Sequence, residues 1–509
     1  MRNWPLLALV CVGLGYGAEP RAPISIHPEN PRYFLFRGKP TFLLTASEHY
    51  GSVMNRAFDF ERYLDDAAAH KMTHTRTFLL FRELQGARNP SSPAKPESPD
   101  YVAPFPRTGP GVAMDGEPMY DLDQWNPEYS ERLHRFLKLA SEKGIVVELT
   151  VFSNTYADQI WALNPFRSKN NKQGVGKIEW PEYLSLKDRE LVRRQADYAR
   201  KIIRETADYD NIYYEICNEP GGAVPDHNVS PADVDAWQAE MGAAMRDEMT
   251  KIGKKHLIAG QQAFAYSPKF RFPNDQTFQG TLFDIANVHP LPDTVLRDRT
   301  YQLGHFMSKE LMLSEFAAFT KAASLERKPL LHDEDNTASM YRDVTGWTIH
   351  RKRAWTSLLN GAHYDYIDFS ITVGSEAGTA ASRAGIRSWM KYLSEFMSGF
   401  DFVHSRPDTK WIAATPAATL TVSGLVSTKG DYIAYLGDNR EVDAMGYGEP
   451  IEGKATLQLP VGSFAVSLFS PVTGQASPSI TVEGGKTVSV DLGTFRHDIV
   501  VRATRDGGR

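Results

Sequence analysis

The sequence predicts a (β/α)8 TIM barrel followed by a C-terminal antiparallel β-sandwich. Short apolar runs alternate with amphipathic stretches from about residue 40 to 400. After Phe400 the texture changes to short alternating segments separated by Gly, Pro and Asp turns. A chain of 509 residues is also longer than one compact core normally holds.

Eight runs read as strands: Phe42–Ser47, Thr73–Phe78, Ile145–Phe152, Ile212–Cys217, His256–Gly260, Ile285–His289, Leu311–Phe316 and Ala362–Phe369. Asp59–His70, Pro127–Lys143, Leu186–Ala207, Pro231–Ile252 and Ala338–Leu359 read as helices. Their apolar residues recur at spacings of three and four, as in Leu133, Phe136, Leu137 and Ala140. Eight parallel β-then-α units favour a closed barrel over a doubly wound sheet. Two connections, 82–126 and 153–185, are far longer than a barrel requires; both follow strands and so belong to its C-terminal face. Beyond the barrel, Thr419–Val422, Tyr432–Leu436, Lys454–Leu459, Ser463–Phe469 and Val488–Leu492 read as sandwich strands.

Arg2, the run Leu6–Leu14 and the small residues Gly15, Gly17 and Ala18 have the order of a secretory signal peptide. The expected division is a signal at 1–18, a barrel at 19–402 and a sandwich at 403–509, with the mature protein secreted or periplasmic. No stretch reaches the roughly 20 apolar residues of a membrane span, so no membrane association is expected after cleavage. A net charge of −5, with no basic stripe, argues against a nucleic-acid partner. Zinc-ligand spacings, a P-loop and a Gly-x-Ser-x-Gly elbow are absent, so neither metal nor cofactor is expected.

The chemistry concentrates at two places. Ile212-Tyr213-Tyr214-Glu215-Ile216-Cys217-Asn218-Glu219-Pro220 is an apolar strand ending abruptly in Asn-Glu and a Pro-Gly-Gly stop. Glu310-Leu311-Met312-Leu313-Ser314-Glu315-Phe316 repeats the design at the expected seventh strand. Carboxylates at the ends of strands four and seven would face each other across the barrel mouth. Glycoside cleavage requires such a pair, one to protonate the leaving oxygen and one to attack or to activate water. Glu219 is expected as acid/base and Glu315 as nucleophile.

Asn218-Glu219-Pro220 and Ser314-Glu315-Phe316 resemble the acid/base and nucleophile signatures of clan A glycoside hydrolases, family 5 especially. Lys71-Met72-Thr73-His74-Thr75-Arg76 is similar to that family's second-strand segment, whose Arg supports the nucleophile. His289 falls where the family keeps a sixth-strand His near the cleaved sugar. The C-terminal segment resembles the small β domain of collagen-binding type attached to many bacterial barrels. The resemblance implies a retaining hydrolase acting on β-linked or furanosidic sugars of oligo- or polysaccharides. A transglycosylase using the same two Glu and a silent glycan-binding barrel remain as alternatives. Two positions depart from the family. His289-Pro290-Leu291 lacks its His-x-Tyr, and Asp365 stands near the slot of the eighth-strand Trp, where it would hydrogen-bond sugar hydroxyls. Further candidates for substrate contact are Glu48, His49, Asn154, Tyr266 and Trp161. Glu148, inside strand three, reads as a buried, paired carboxylate. The long βα loops point to a walled pocket and exo-action; the sugar and the oligomeric state stay open.

Overall fold

The computed structural model describes residues 21–47, 52–80, 100–222, 228–265, 271–304, 313–335, 344–367, 380–441 and 444–506. Eight parallel strands form one sheet: β1 Leu44–Ser47, β2 His74–Phe78, β3 Val146–Ser153, β4 Ile212–Asn218, β5 Ile258–Gly260, β6 Ile285–Val288, β7 Leu330–Asp335 and β8 His363–Ile367. They follow each other around the sheet from β2 through β8 to β1. Where β1 meets β2, Thr73 donates its backbone N–H to Leu44 O (3.1 Å) and its hydroxyl accepts from Leu44 N (3.0 Å). This is a nearly closed barrel of the TIM type.

Helices return the chain between strands: α1 Phe60–Ala69, α2 Pro127–Glu142, α3 Arg189–Thr206, α4 Pro231–Lys251, α5 Leu313–Ala323, α6 Val344–Leu358 and α7 Ala380–Ser398. Their starts follow local chemistry. Asp59 caps α1, Asn126 precedes Pro127 at the first turn of α2, Asp188 accepts from two amides of α3, and Ser230 with Asp233 forms a capping box on α4. A small hairpin layer, Ser25–Ile26 with Phe34–Phe36, closes the bottom of the barrel, packing Ile24, Phe34 and Phe36 with Val146, Tyr213, Ile285 and Leu331. The active end is therefore the opposite mouth, where strand C-termini meet the long loops.

One expected element is displaced. Leu311–Phe316 is not the seventh strand: residues from Leu313 onward form α5, and the strand between β6 and β8 is Leu330–Asp335. Leu313, Phe316, Thr320 and Ala323 are buried on one side of α5, at helical spacing continued by the Ala-rich run behind Phe316. The true strand carries His332-Asp333-Glu334-Asp335, four polar residues that no apolar-run criterion selects. All of them are buried because the barrel interior here is polar.

The C-terminal region packs a six-stranded sheet against a three-stranded one. In chain order its strands are β9 Ser405–Pro407, β10 Ile412–Ala414, β11 Leu420–Ser427, β12 Asp431–Asp438, β13 Ile451–Gln458, β14 Ser463–Phe469, β15 Ile480–Glu483, β16 Thr487–Phe495 and β17 Asp498–Arg505. The sheets are β9-β11-β12-β17-β14-β15 and β10-β13-β16, all antiparallel. Trp411, Leu436, Leu457, Phe464, Val466 and Val501 lie in the core between them.

The sandwich is bonded to the barrel through α6, which presents three successive buried cations. Arg351 forms a fork with Asp498 of β17 (Nε 2.8 Å, Nη2 3.0 Å). Lys352 donates to Asp438 O (2.9 Å), Arg440 O (3.0 Å) and Glu441 Oε1 (3.2 Å). Arg353 turns the other way and holds both oxygens of Asp335, at the end of β7, at 3.2 Å. Around them the Trp355 ring stacks on Tyr435 (5.8 Å between centroids, 10° between planes) and Phe396 meets Phe469 at 4.9 Å.

Candidate active site

The site is organised by Arg76, fully buried in the middle of β2. Its guanidinium donates to Glu215 Oε2 (2.5 Å) and Asn218 Oδ1 (2.9 Å) of β4, to Glu334 Oε2 of β7 (2.8 Å) and to Thr150 Oγ1 of β3 (3.1 Å). Asp333 Oδ2 is also 3.3 Å away. A rigid fork of donors thus fixes residues from three other strands in one plane.

Two carboxylates rise from this plane to the mouth, Glu219 just past β4 and Glu334 near the end of β7. Both have left-handed backbone, φ +46° and φ +52°, where the strand ladder stops. At β7 the pairing with β8 slips between His332 and Asp335. Such strained conformations persist where surrounding bonds hold them. Around Glu219 these are Asn154 Nδ2 to Glu219 O (2.9 Å) and Asn154 N to Asn218 O (3.1 Å).

His289, just beyond β6 and 3% exposed, bridges the pair. Its Nδ1 lies 3.0 Å from Glu219 Oε1, while Nε2 faces Asp333 Oδ2 at 3.8 Å and Glu334 Oε2 at 3.9 Å. One ligand atom from each of Glu219, His289 and Glu334 falls within 4.8 Å of the other two, and Glu215, His289 and Asp333 form a second such triad. Either spacing would suit a cation, but Arg76 already sets its positive charge among Glu215, Asp333 and Glu334.

The electrostatics follow from this crowding. Burial alone would lower His289, but the hydrogen bond it donates to Glu219 and the charges of Glu334 and Asp333 raise it to about 9. Glu219 is pushed up by burial, yet hydrogen bonds from His289 and Tyr156 bring it below the ordinary carboxylate range. Burial raises Glu334 to about 7 against the opposing pull of His289 and Arg76. Deeper in the barrel Glu148 accepts from Tyr213 OH (2.7 Å) and Asn287, and burial beside Asp333 and Glu215 holds it well above its usual value.

The expected residues divide accordingly. Arg76, Asn218, Glu219 and His289 meet in one constellation, and Asn154 supports it through the backbone. Glu315 does not belong there: it lies in the first turn of α5, is 29% exposed and pairs with Arg299 at 3.0 Å. Its expected place is taken by Glu334, 19 residues further along the chain in the actual β7. Asp365 is fully buried within β8, in register with Thr45, two residues short of the strand end and out of reach of a sugar. Trp161 is no platform either: its ring is 0% exposed, packs on Tyr183 at 5.1 Å and donates to Ile178 O (3.1 Å), forming the core of the long loop. Glu48, His49 and Tyr266 lie outside the described residues.

Tyr156, one of the aromatics of the long 153–185 connection after β3, enters the site although it is not among the expected substrate contacts. Its hydroxyl donates to Glu219 Oε2 (2.7 Å) and accepts from Asn218 Nδ2 (2.9 Å). The readable signal for Glu334 was a missing helix. None of the expected helices falls between His289 and Leu311, whereas a strand at 330 leaves α5 between it and His289.

A family model described as a domain of unknown function, DUF6298, matches residues 93–210, the span holding α2, β3 and α3. No curated protein matches the sequence. Among solved structures, a glycoside hydrolase family 5 protein from Bacteroides vulgatus ATCC 8482 is similar at 14% identity and a TM-score of 0.59, over 95% of this chain and 93% of that one. A second protein, described as a glycoside hydrolase, has a TM-score of 0.60 at 14% identity over 95% of this chain and 97% of its own. The chain has the fold of these glycoside hydrolases. The likeness extends through barrel and sandwich together, since it spans 95% of the chain.

Proposed function

We propose that this protein is a retaining glycoside hydrolase with Glu334 as nucleophile and Glu219 as acid/base. The observation that carries the reading is the pairing of carboxylates at the ends of β4 and β7 with oxygens within 4.8 Å. Oxygens this close favour direct attack on the anomeric carbon, for which about 5–5.5 Å between carboxyl groups is typical. Glu334, held by Arg76, attacks; Glu219 protonates the departing oxygen and afterwards deprotonates water. Asn218 orients Tyr156 against Glu219. The substrate class is a β-linked glycoside, pyranosidic or furanosidic. The long loops after β2 and β3 favour a walled pocket and removal of terminal sugars. The order of residues 1–18 fits export, so the substrate would be met outside the cytoplasm.

The test is turnover of a panel of aryl pyranosides and furanosides by wild type, Glu334→Ala and Glu219→Ala, with azide added. Both variants should lose at least about a hundredfold in turnover. Azide should rescue Glu219→Ala to a glycosyl azide of retained configuration and Glu334→Ala to one of inverted configuration. Wild-type activity in Glu334→Ala would refute the assignment, and a product of inverted configuration from the wild type would refute the mechanism.

A further inference from the structure

We propose that His289 stores, as an imidazolium in the substrate-free protein, the proton that Glu219 delivers to the departing oxygen; the proposal rests on the glycosidase reading above. Arg76 can only donate, so the Asn218 atom at 2.9 Å from Nη2 is its carbonyl oxygen, and its amide nitrogen points to Tyr156 OH at 2.9 Å. The Tyr156 hydroxyl has one proton, and with Asn218 donating to it that proton goes to Glu219 Oε2 at 2.7 Å. Oε2 is therefore an acceptor and carries no proton. The acidic proton belongs to the remaining contact, Glu219 Oε1 with His289 Nδ1 at 3.0 Å.

Which side of that contact holds it depends on what faces the ring. From β4, Glu219 and Glu215 approach it; from β7, Asp333 and Glu334 do; from β2, Arg76 is the opposing cation, already bonded to Glu215 and Glu334. Glu219, Glu215 and Asp333, with Glu334 partly ionised near neutrality, outnumber the one guanidinium and favour a positive ring. The raised affinity of His289 for its second proton and the lowered one of Glu219 agree with this direction.

As the glycosidic C–O bond breaks, its electron pair takes the proton from Glu219 Oε1, which receives the Nδ1 proton of His289, and Glu334 supplies the pair that bonds to the anomeric carbon. The sugar's former partner leaves as an alcohol and the ring is neutral. In the second half, water loses a proton to Oε1 and through it to Nδ1, its oxygen bonds to the anomeric carbon, and the Glu334–carbon bond returns its pair to the carboxylate. No outside reagent is consumed.

The deciding measurement is histidine-ring ¹⁵N NMR of the full-length protein without substrate, with Glu219→Gln alongside and His289→Gln to identify the signals by loss. Expected are two protonated ring nitrogens on His289 at neutral pH, titrating near 9 in the wild type and well below that in Glu219→Gln. A neutral ring at pH 7 would overturn the proposal whether or not any glycoside is cleaved. In turnover, the alkaline limb of the kcat/KM profile should fall by at least about one pH unit in His289→Gln, with a larger loss for alkyl than for dinitrophenyl leaving groups. An unmoved limb with equal loss for all leaving groups would mean a positioning role and overturn the store. Failure of the glycosidase reading itself looks different: Glu334→Ala as active as wild type, with the NMR result untouched.

Discussion

Asp498→Ala probes how barrel and sandwich depend on each other. The Asp498 carboxylate, completely buried, accepts from Arg351 Nε (2.8 Å) and Nη2 (3.0 Å) and from Tyr435 OH (2.9 Å). Arg351, with 2% of its side chain exposed, cannot shed its proton, so removal of the carboxylate strands a charge between α6 and β17. Breaking one partner of such a buried pair costs about 3–5 kcal/mol. The double variant Arg351→Met/Asp498→Leu removes both charges and should recover most of that loss, because desolvating the pair consumes much of its attraction. Urea unfolding followed by tryptophan fluorescence reads both sides of the junction, since Trp355 stacks on Tyr435 and Trp389 lies 4.4 Å from Arg351. A single transition is expected in the wild type, because Leu425, Ile433, Tyr435 and Val500 of the sandwich share one apolar cluster with the barrel. A loss under about 1 kcal/mol in the single variant, or a double variant no better than it, would refute the reasoning.

Three further outcomes are expected. Glu315→Gln should leave turnover unchanged and cost at most about 1 kcal/mol, the range of an exposed ion pair such as that with Arg299; activity assays and thermal melts check both. Tyr156→Phe removes a charge-assisted hydrogen bond to Glu219 and should lower kcat about tenfold or more with little change in KM, raising the Glu219 pKa; an unchanged kcat would remove Tyr156 from the site. Stability should fall as pH drops below about 6.5. Burial lowers His74, His332 and His350 to about 3, His363 and His497 to about 4, and His256 as well, so the unfolded chain takes up protons that the native state refuses, and their contribution is lost as pH falls. Glu334 and Glu441, raised to about 7, with Glu148 and Asp235, also raised by burial, act with the opposite sign: the native state binds their protons first. The six histidines outnumber these four carboxyls, so melting temperatures should decline from about pH 6.5 downward, and more steeply once the unfolded carboxyls titrate too. Melting temperatures that stay level from about pH 6.5 to 4.5 would contradict this balance.

Much of the barrel was legible because its outer strands are plainly apolar. Ile212–Cys217 and Ile285–Val288 announce themselves, and Asn218-Glu219-Pro220 marks an abrupt exit to the mouth. Strand seven was not legible, since Leu330–Asp335 owes its place to bonds with Arg76 and Arg353 rather than to hydrophobicity. The run at Leu311–Phe316 is equally good helix or strand over six residues, and only its continuation to Ala323 decides. Trp161 and Asp365 show the complementary limit: residue type suggests what a side chain could bind, but burial settles whether anything can reach it. Tyr156 escaped because its partnership with Glu219 spans 63 residues and rests on a loop with no periodicity.

With Glu219 and Glu334 in the proposed roles, their left-handed backbone gives this scaffold a built-in tension between durability and chemistry. An L-residue in that conformation costs about 1–2 kcal/mol, which glycine avoids and asparagine softens. A lineage released from selection for turnover would therefore drift toward Gly or Asn at these two positions and grow hardier as it fell silent. Stability-guided redesign would make the same exchange, erasing the two carboxylates among its first improvements. Positions 219 and 334 need to be held fixed in any such campaign.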